Sequence, residues 1–597
     1  MPNYNPLSNS GRNRATAKPK NTKYVLKNLL RYLSRYKFKL ILAIFLSLTS
    51  SLFSLVGPYL SGECIDAIDL GVGKVLFDKV YLYSLLLIGF YVISSLLSYL
   101  LSLLMQSIAQ QLGNALRNDI FAHLKELPIS FYDTNQSGDI ISIISYDVNT
   151  LSTSLSTDVV SIASAAVNVI GSFIMMLIIM PLLTLVFVVT IPISFIITKR
   201  MSKKSKKLFH KRSVSYGLFN GYSEERISGL RSIKAYGRDK EILDQFDEYN
   251  NEVTTNAYNA EYYSSKTGPF VNFINNLSLA FIAIFGALLY LYKWMSLGQI
   301  SSFVLYSRKF SGPINETLNL FAEIQSSLAA AERIFTLLDQ KKEDFDKEPL
   351  IHLDDIKGDI TLDHVEFSYN EDRIILKDLS FKAKPGSMTA IVGPTGAGKT
   401  TIINLLMKFY IPQKGIISLD SIDINHIESN ELRRYYSMVL QDSFLFEGTI
   451  KENIAYGNEE ASEEDIIKAA RLAHADSFIQ KLKHGYDEYI SEDGGSLSKG
   501  QKQLLTIARA FLSKANMLIL DEATSSVDTR TEKQIQDAMR TLMQDKTCFI
   551  IAHRLSTIRN ADLILVVLNG DIVELGNHES LMAKKGVYYQ LNESQYE

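Results

Sequence analysis

From position 159 to 198 the chain runs for 40 residues without a single charged side chain. As a helix rising ~1.5 Å per residue, such a run is ~60 Å long, enough for two crossings of a ~30 Å hydrocarbon layer. Pro181 stands near its middle, where a tight turn would fall. A water-soluble domain does not tolerate a run of this length and composition. It predicts two antiparallel membrane spans joined near the proline.

Other gaps in charge give the remaining spans. Residues 40–59, 81–104, 270–290 and 300–320 are apolar enough to cross, which makes six spans with the pair above. The last is the weakest, because Arg308, Lys309 and Glu316 interrupt it. The charge balance of the 597-residue chain is nearly even, but its two parts differ. Residues 1–340 hold 32 Lys and Arg against 23 Asp and Glu, a net of +9, and residues 341–597 hold 30 against 41, a net of −11. One polypeptide therefore meets two solvents, and both a single soluble enzyme and a nucleic-acid-binding protein fit poorly.

Residues 1–39 carry ten Lys and Arg and no acid. Their start, 1–24, reads as a basic disordered tail, too long for the charged end of a secretory signal. The run 199–212 adds eight more basic residues, whereas the segment after the first span leans acidic. Lys and Arg mark the cytoplasmic side of membrane proteins, so both termini are expected in the cytosol and the chain in the cytoplasmic membrane. The connections 106–158 and 199–266 are long and poor in Gly and Pro, and predict helices extending well beyond the bilayer. Two cysteines, Cys64 and Cys548, exclude a disulfide framework or a cysteine zinc site.

After a charged linker, 340–357, the pattern changes. Strand-like 389–392 runs into "GPTGAGKT", residues 393–400, and then into a helical segment. Gly393, Gly396 and Gly398 let backbone N–H groups approach a phosphate, Lys399 can reach β- and γ-oxygens, and the Thr400 hydroxyl suits Mg²⁺. A second strand, "MLILDE", ends in Asp521 and Glu522, one suited to the Mg²⁺ shell and the other to polarising a water. A third, "CFII", leads to His553 at what should be the same sheet edge, a candidate contact for the γ-phosphate.

The segment "SLSKGQKQLLTIARAFLSKA", just before the acidic strand, resembles the signature of ATP-binding-cassette (ABC) proteins, with 497–501 standing where LSGGQ is usual. Further elements are similar in order: Tyr369 in "VEFSY" as the aromatic that stacks on adenine, Gln441 as the Q-loop residue, 491–495 as an exporter X-loop, and 525–528, ending in Asp528, as a D-loop. The layout resembles an ABC exporter half-transporter over nearly the whole chain. The implied fold is an all-α six-helix transmembrane domain, residues 25–339, plus an α/β P-loop ATPase domain, residues 358–597.

The resemblance implies ATP and Mg²⁺ as ligands, held by Tyr369, by the loop Gly393, Pro394, Thr395, Gly396, Ala397, Gly398, Lys399, Thr400 and Thr401, and by Asp528. Thr400, Gln441 and Asp521 would hold the metal, and Glu522, His553 and Gln441 would serve hydrolysis. Ser498, Lys499, Gly500 and Gln501 would face the nucleotide of a second chain, since in this family Walker A of one chain meets the signature of the other. Short coupling helices, expected near 131–138 and 216–224, would dock on the ATPase domains.

One departure stands out: the third signature position is Lys499 rather than Gly. That pattern fits the Walker-competent half of a heterodimer, with a homodimer tolerating Lys499 as the alternative. Multidrug efflux of amphipathic compounds is the expected activity, ahead of lipid or peptide export. Asn272, Asn275 and Asn276 form one stripe on the fifth span, and Lys309, Glu316 and Glu323 another on the sixth. Each stripe either lines a cargo cavity or bonds neighbouring helices. Fusion of spans and ATPase argues against an ABC importer, and retention of Glu522 and His553 argues against a non-hydrolytic regulator.

Overall fold

The computed structural model describes residues 21–68, 75–353, 355–370, 373–441, 443–491, 497–521, 528–551 and 558–593, without the side chains of 159 and 314–322. The chain divides into two compact units with the main junction between Lys342 and Glu343, and Pro128–Ser130 group with the second.

The first unit is helical throughout. A short amphipathic helix α1 (Thr22–Leu33) precedes α2 (Lys37–Ile68) and α3 (Phe77–Leu124). Two six-residue helices, α4 (Ile129–Thr134) and α5 (Ser137–Ser142), lead into α6 (Val148–Ile179). Next come α7 (Pro181–Ser228), the short α8 (Leu230–Tyr236), α9 (Asp239–Ser265), α10 (Thr267–Leu291) and α11 (Leu297–Leu338). The uncharged run breaks where expected. Met180 takes an extended conformation and Pro181 opens α7 at its first turn, where the missing N–H costs no helical bond.

Five of these helical stretches are long and apolar enough to cross a membrane. The 42-residue α11 is long enough but less apolar, because it carries Arg308, Lys309 and Glu316. Both α3 and α7 run 48 residues, each ~72 Å at helical rise, more than twice the hydrocarbon thickness. The basic run 199–212 lies across the middle of α7.

Two expectations need correction. Helix α1 begins at Thr22, inside the segment read as tail, because Val25 and Leu29 bury against α3 and α11 residues such as Leu112 and Ile334. Residues 216–224 belong to the unbroken α7, and the short helix between long ones is α8. Gly229 ends α7, and Gly237, at φ 61, ends α8, so the glycines carried the signal that composition did not.

Pro58 lies inside α2 and has no N–H to give the Ser54 carbonyl four residues back. Helix α11 repairs the gap. Lys309 Nζ donates to Ser54 O at 2.8 Å, Tyr306 Oη donates to Leu55 O at 2.6 Å, and Ser302 Oγ donates to Pro58 O at 2.8 Å. One turn further on, a Cβ on Gly298 would sit 2.1 Å from Gly62 O, so the two helices meet backbone to backbone. Lys309 therefore serves helix–helix bonding. Asn272 and Asn276 lie on the exposed face of α10, opposite its buried Val271, Ile274 and Ser278.

Nearer the junction, Arg333 of α11 grips Asp147, just ahead of α6, with Nε–Oδ2 at 2.8 Å and Nη2–Oδ1 at 2.6 Å. The Asp147 side chain is 2% exposed. The pair closes on a π-helical segment, Ile143–Asp147.

The second unit is built on a six-stranded sheet. Its strands are β1 (Ile360–Phe367), β2 (Leu376–Ala383), β3 (Met388–Val392), β4 (Lys414–Leu419), β5 (Ile422–Asp423), β6 (Tyr436–Val439), β7 (Gly448–Thr449), β8 (Tyr489–Ile490), β9 (Met517–Asp521), β10 (Thr547–Ile551), β11 (Leu563–Leu568) and β12 (Asp571–Gly576). The main sheet has the order β12-β11-β3-β10-β9-β6, parallel except for β12, and β2-β1-β4-β5 form an antiparallel sheet. Strands β3, β9 and β10 read as continuous apolar runs because both faces are covered. The helices are α12 (Lys399–Leu406), α13 (Ser429–Arg434), α14 (Ile450–Ala455), α15 (Glu463–Leu472), α16 (Asp476–Ile479), α17 (Lys499–Leu512) and α18 (Thr529–Leu542), followed by two short C-terminal helices.

Residues 343–353 are stitched to this unit. Lys347 N and Ile351 N donate to Asn425 O and His426 O, both at 2.7 Å. Lys408, fully buried, meets Asp346 at 2.6 Å. Burial works to raise the Asp346 carboxyl, but the Lys408 ammonium and the Ser429 donors outweigh it and hold the group below the ordinary carboxylate range.

Candidate nucleotide-binding and hydrolysis site

Because β3, β10, β9 and β6 are parallel neighbours, their carboxyl ends form one edge. Ile391 pairs with Ile551, Ile551 with Asp521, and Leu520 with Val439. The loop 393–398 leaves β3 at that edge, Asp521 ends β9 there, and Gln441, exposed, follows β6. Glu522 and His553 lie outside the described residues, as do 492–495 of the X-loop and 525–527 of the D-loop. In the chain Glu522 directly follows Asp521, and His553 comes two residues after Ile551.

The loop's shape depends on its glycines. Gly393 has φ 153, and a Cβ there would stand 2.1 Å from Val567 O of β11. Gly396, at φ 81, faces open space, so the loop's outer side is an uncovered cradle. Pro394 and Thr395 share that exposed side, while Ala397 is buried beneath it. Gly398 adopts the left-handed conformation and is the N-cap of α12, leaving the first-turn N–H groups available to an anion. Lys399 is 8% exposed, and its Nζ rests on Gly393 O at 2.7 Å and Pro394 O at 3.0 Å, within its own loop. Burial pulls its ammonium below the usual lysine range, and the Asp521 carboxylate works the other way. Thr400 is exposed beside it.

Thr401 turns elsewhere. Its Oγ1 accepts from the Tyr369 hydroxyl at 3.2 Å, and that hydroxyl accepts from Asn404 Nδ2 at 3.2 Å. Phe367 and Tyr410 meet the Tyr369 ring edge-on, both at 4.9 Å, and leave it 42% exposed. Tyr369 is thus held upright next to the loop, positioned by two α12 side chains.

The signature segment opens α17. Ser498 is its N-cap, and Ser498 and Gln501 form a reciprocal capping box: Gln501 N donates to Ser498 Oγ at 3.3 Å, and Ser498 N donates to Gln501 Oε1 at 2.9 Å. Gly500 is buried, whereas Lys499 is exposed at the first helical position. The lysine substitutes where a side chain has room and leaves its backbone N–H in place. Asp528 is the N-cap of α18, and the Thr531 N–H, at 3.1 Å, holds its carboxyl below the ordinary range.

Sequence patterning missed Arg509. From inside α17 its Nε reaches Asn453 O at 2.5 Å, Nη1 reaches Phe444 O at 2.7 Å, and Nη2 reaches Asn453 Oδ1 at 2.6 Å. Asn453 in turn binds Phe446 and Thr449. The signature helix is therefore fastened to the segment that follows Gln441. The available signal was a single charged residue in the mostly apolar stretch Leu504–Leu512.

Residues 40–314 match the model of the ABC transporter transmembrane region, and residues 376–525 match the ABC transporter model. An uncharacterized ABC transporter ATP-binding protein of Bacillus subtilis is 41% identical over 97% of this chain and 96% of its own length. The chain belongs to the ABC transporter family. A fatty acid ABC transporter ATP-binding/permease protein of Mycobacterium bovis is 42% identical over 85% of this chain and 80% of that one. The solved structure of a bacterial Atm1-family ABC exporter with ATP bound aligns at TM-score 0.76 and 29% identity, covering 94% of this chain and 98% of that one.

With both modules on one chain, this is an ABC exporter half-transporter. It is a multi-pass membrane protein with a cytosolic unit that binds ATP and couples its hydrolysis to transport. ABC exporters work as dimers, so the half-transporter needs a second half.

Proposed function

We propose that this half-transporter exports amphipathic compounds across the cytoplasmic membrane as the Walker-competent member of a heterodimer. The observation that carries the reading is Lys499, the single departure from the LSGGQ pattern, exposed at the mouth of an otherwise intact signature helix. A cation there changes the face offered to the partner's nucleotide, whereas this chain's own Walker residues keep the family pattern.

In this reading the N–H groups of 393–400 and the Lys399 ammonium hold the ATP phosphates, and Tyr369 stacks on adenine. The exposed Thr400 hydroxyl, the Asp521 carboxylate and Gln441 form a hard-oxygen set that fits Mg²⁺, which usually completes its shell with phosphates and water. Bound there, the ion would neutralise charge on the β- and γ-oxygens. Glu522 orients and polarises the attacking water, and His553 contacts the γ-phosphate. Ser498, Lys499, Gly500 and Gln501 face the partner's ATP, with Asp528 beside the interface.

The test is to purify this chain alone in lipid and measure ATP turnover. The expected result is weak hydrolysis that rises when a second half-transporter is supplied, and that Glu522→Gln lowers by about 10²-fold or more. Robust turnover by a stable homodimer would overturn the heterodimer. A second reading, lipid export, is supported by the Mycobacterium bovis relative described as a fatty acid transporter.

A further inference from the structure

The turn that joins α10 to α11 keeps a side chain where glycine is the easy choice. Trp294 N donates to Leu289 O and Lys293 N to Tyr290 O, both at 2.9 Å, the paired bonds of a Schellman C-cap. Lys293 occupies the left-handed position, at φ 59. Only glycine takes that conformation without strain, so the turn presents a lysine under strain.

Two cavities meet at this turn. One, of about 650 Å³, is an apolar groove between the first turns of α7 and the last turns of α10, walled by Leu182, Leu185, Phe285, Leu288 and Trp294. The other, of about 470 Å³, is lined by Lys293, Ser296, Gln299 and the same Trp294. Both lie at the N-terminal end of α7, separated from its basic run 199–212 by the uncharged span, and this is the outer end of the spans. Leu182, Leu185 and Leu288 are 53%, 56% and 46% exposed, so the groove opens sideways on a surface that continues through Val188 and Val189. An apolar trough at bilayer depth, closed at its outer rim by an aromatic ring and a cation, has the polarity profile of a single lipid molecule.

We propose that this is a binding site for an anionic phospholipid of the outer leaflet, with an acyl chain in the groove, the headgroup on Lys293, and Trp294 at the boundary between them. Charge complementarity selects this occupant. A second copy of the chain would bring its own Lys293 surface, and a zwitterionic lipid would bring a cation along with its phosphate, so that its net attraction to the lysine is weaker.

Trp294 is the only tryptophan in the chain, so its fluorescence reports on this place alone. The full-length protein, without ATP, is reconstituted with increasing mole fractions of dibrominated phosphatidylglycerol or dibrominated phosphatidylcholine, and quenching is measured. Half-maximal quenching is expected at an about fivefold lower fraction of the anionic lipid. Lys293→Gln should remove that preference and Lys293→Arg should keep it. Leu185→Phe, which narrows the groove without touching the lysine, should weaken quenching by both lipids. Equal quenching by the two lipids in the unaltered protein would overturn the proposal. So would a signal that neither lipid quenches, the result expected if a second copy covers the groove. Neither outcome bears on ATP turnover, so the proposed function stands or falls separately.

Discussion

The two units satisfy polar backbone at very different ranges. In the ATPase unit, helix ends are closed by residues three positions away: Thr449 with Glu452, Ser462 with Asp465, and Ser498 with Gln501. In the membrane unit, the carbonyls around Pro58 are met by Ser302, Tyr306 and Lys309 from α11. Even the Ser296–Gln299 box that opens α11 is underpinned from α2, where Asp66 accepts from Ser296 Oγ at 2.5 Å and Gly298 N at 2.7 Å. Where water is at hand, a local cap suffices and long-range contacts supply the apolar core. In lipid, apolar contact discriminates weakly between helices, and long-range polar bonds specify which helices pair and in what register.

The largest expected effect is at Asp147. Asp147→Ala strands the guanidinium of Arg333 and should destabilise the membrane unit by about 3–5 kcal/mol, seen as a marked fall in thermal midpoint in detergent. An unchanged midpoint would remove this pair, which lies in the extension beyond the bilayer, from the account of how distant segments of the membrane unit are joined. Next, Lys309→Met leaves the Ser54 carbonyl without a donor in a dry setting and should cost about 1–3 kcal/mol. Pro58→Ala in the same chain should recover most of that loss, and a double-mutant cycle showing no coupling would refute the repair.

Ser498→Ala should cost about 1 kcal/mol, with faster amide exchange confined to the first turn of α17. Exchange spreading to α14 would show that the cap is less local than its geometry. The smallest effect is one of pH. Asp346 has a lowered carboxyl pKa in the folded state, so its contribution is fully present above the unfolded value of about 3.9 and is lost as pH falls through the folded one. Asp346→Asn should flatten that acid limb of the ATPase unit's unfolding midpoint, and an unaltered limb would remove the pair from the account.

The same division of range explains what the sequence made legible. Charge-free runs, glycine loops and strand ends are local, so the spans, the Walker A loop, Asp521 and the capped signature helix could be read directly. The position of α8 is set by Gly229 and Gly237, which end α7 and α8, and composition around 216–224 does not show it. The role of Lys309 is not legible locally because its partner, the Ser54 carbonyl, lies in α2. Arg509, Asn404 and the Lys408–Asp346 pair escaped for a similar reason: their roles exist only after distant segments have met. A lone basic residue in an apolar stretch, Arg509 in 504–512 and Lys408 in 402–411, was the local hint in each of the two basic cases.

Pro58 and Lys309 also have a hereditary consequence. A relative that exchanges the proline for any other residue regains an amide donor for the carbonyl at position 54 and is released from keeping a cation on the facing helix. The two positions should therefore be gained and lost together across descendants of a common ancestor.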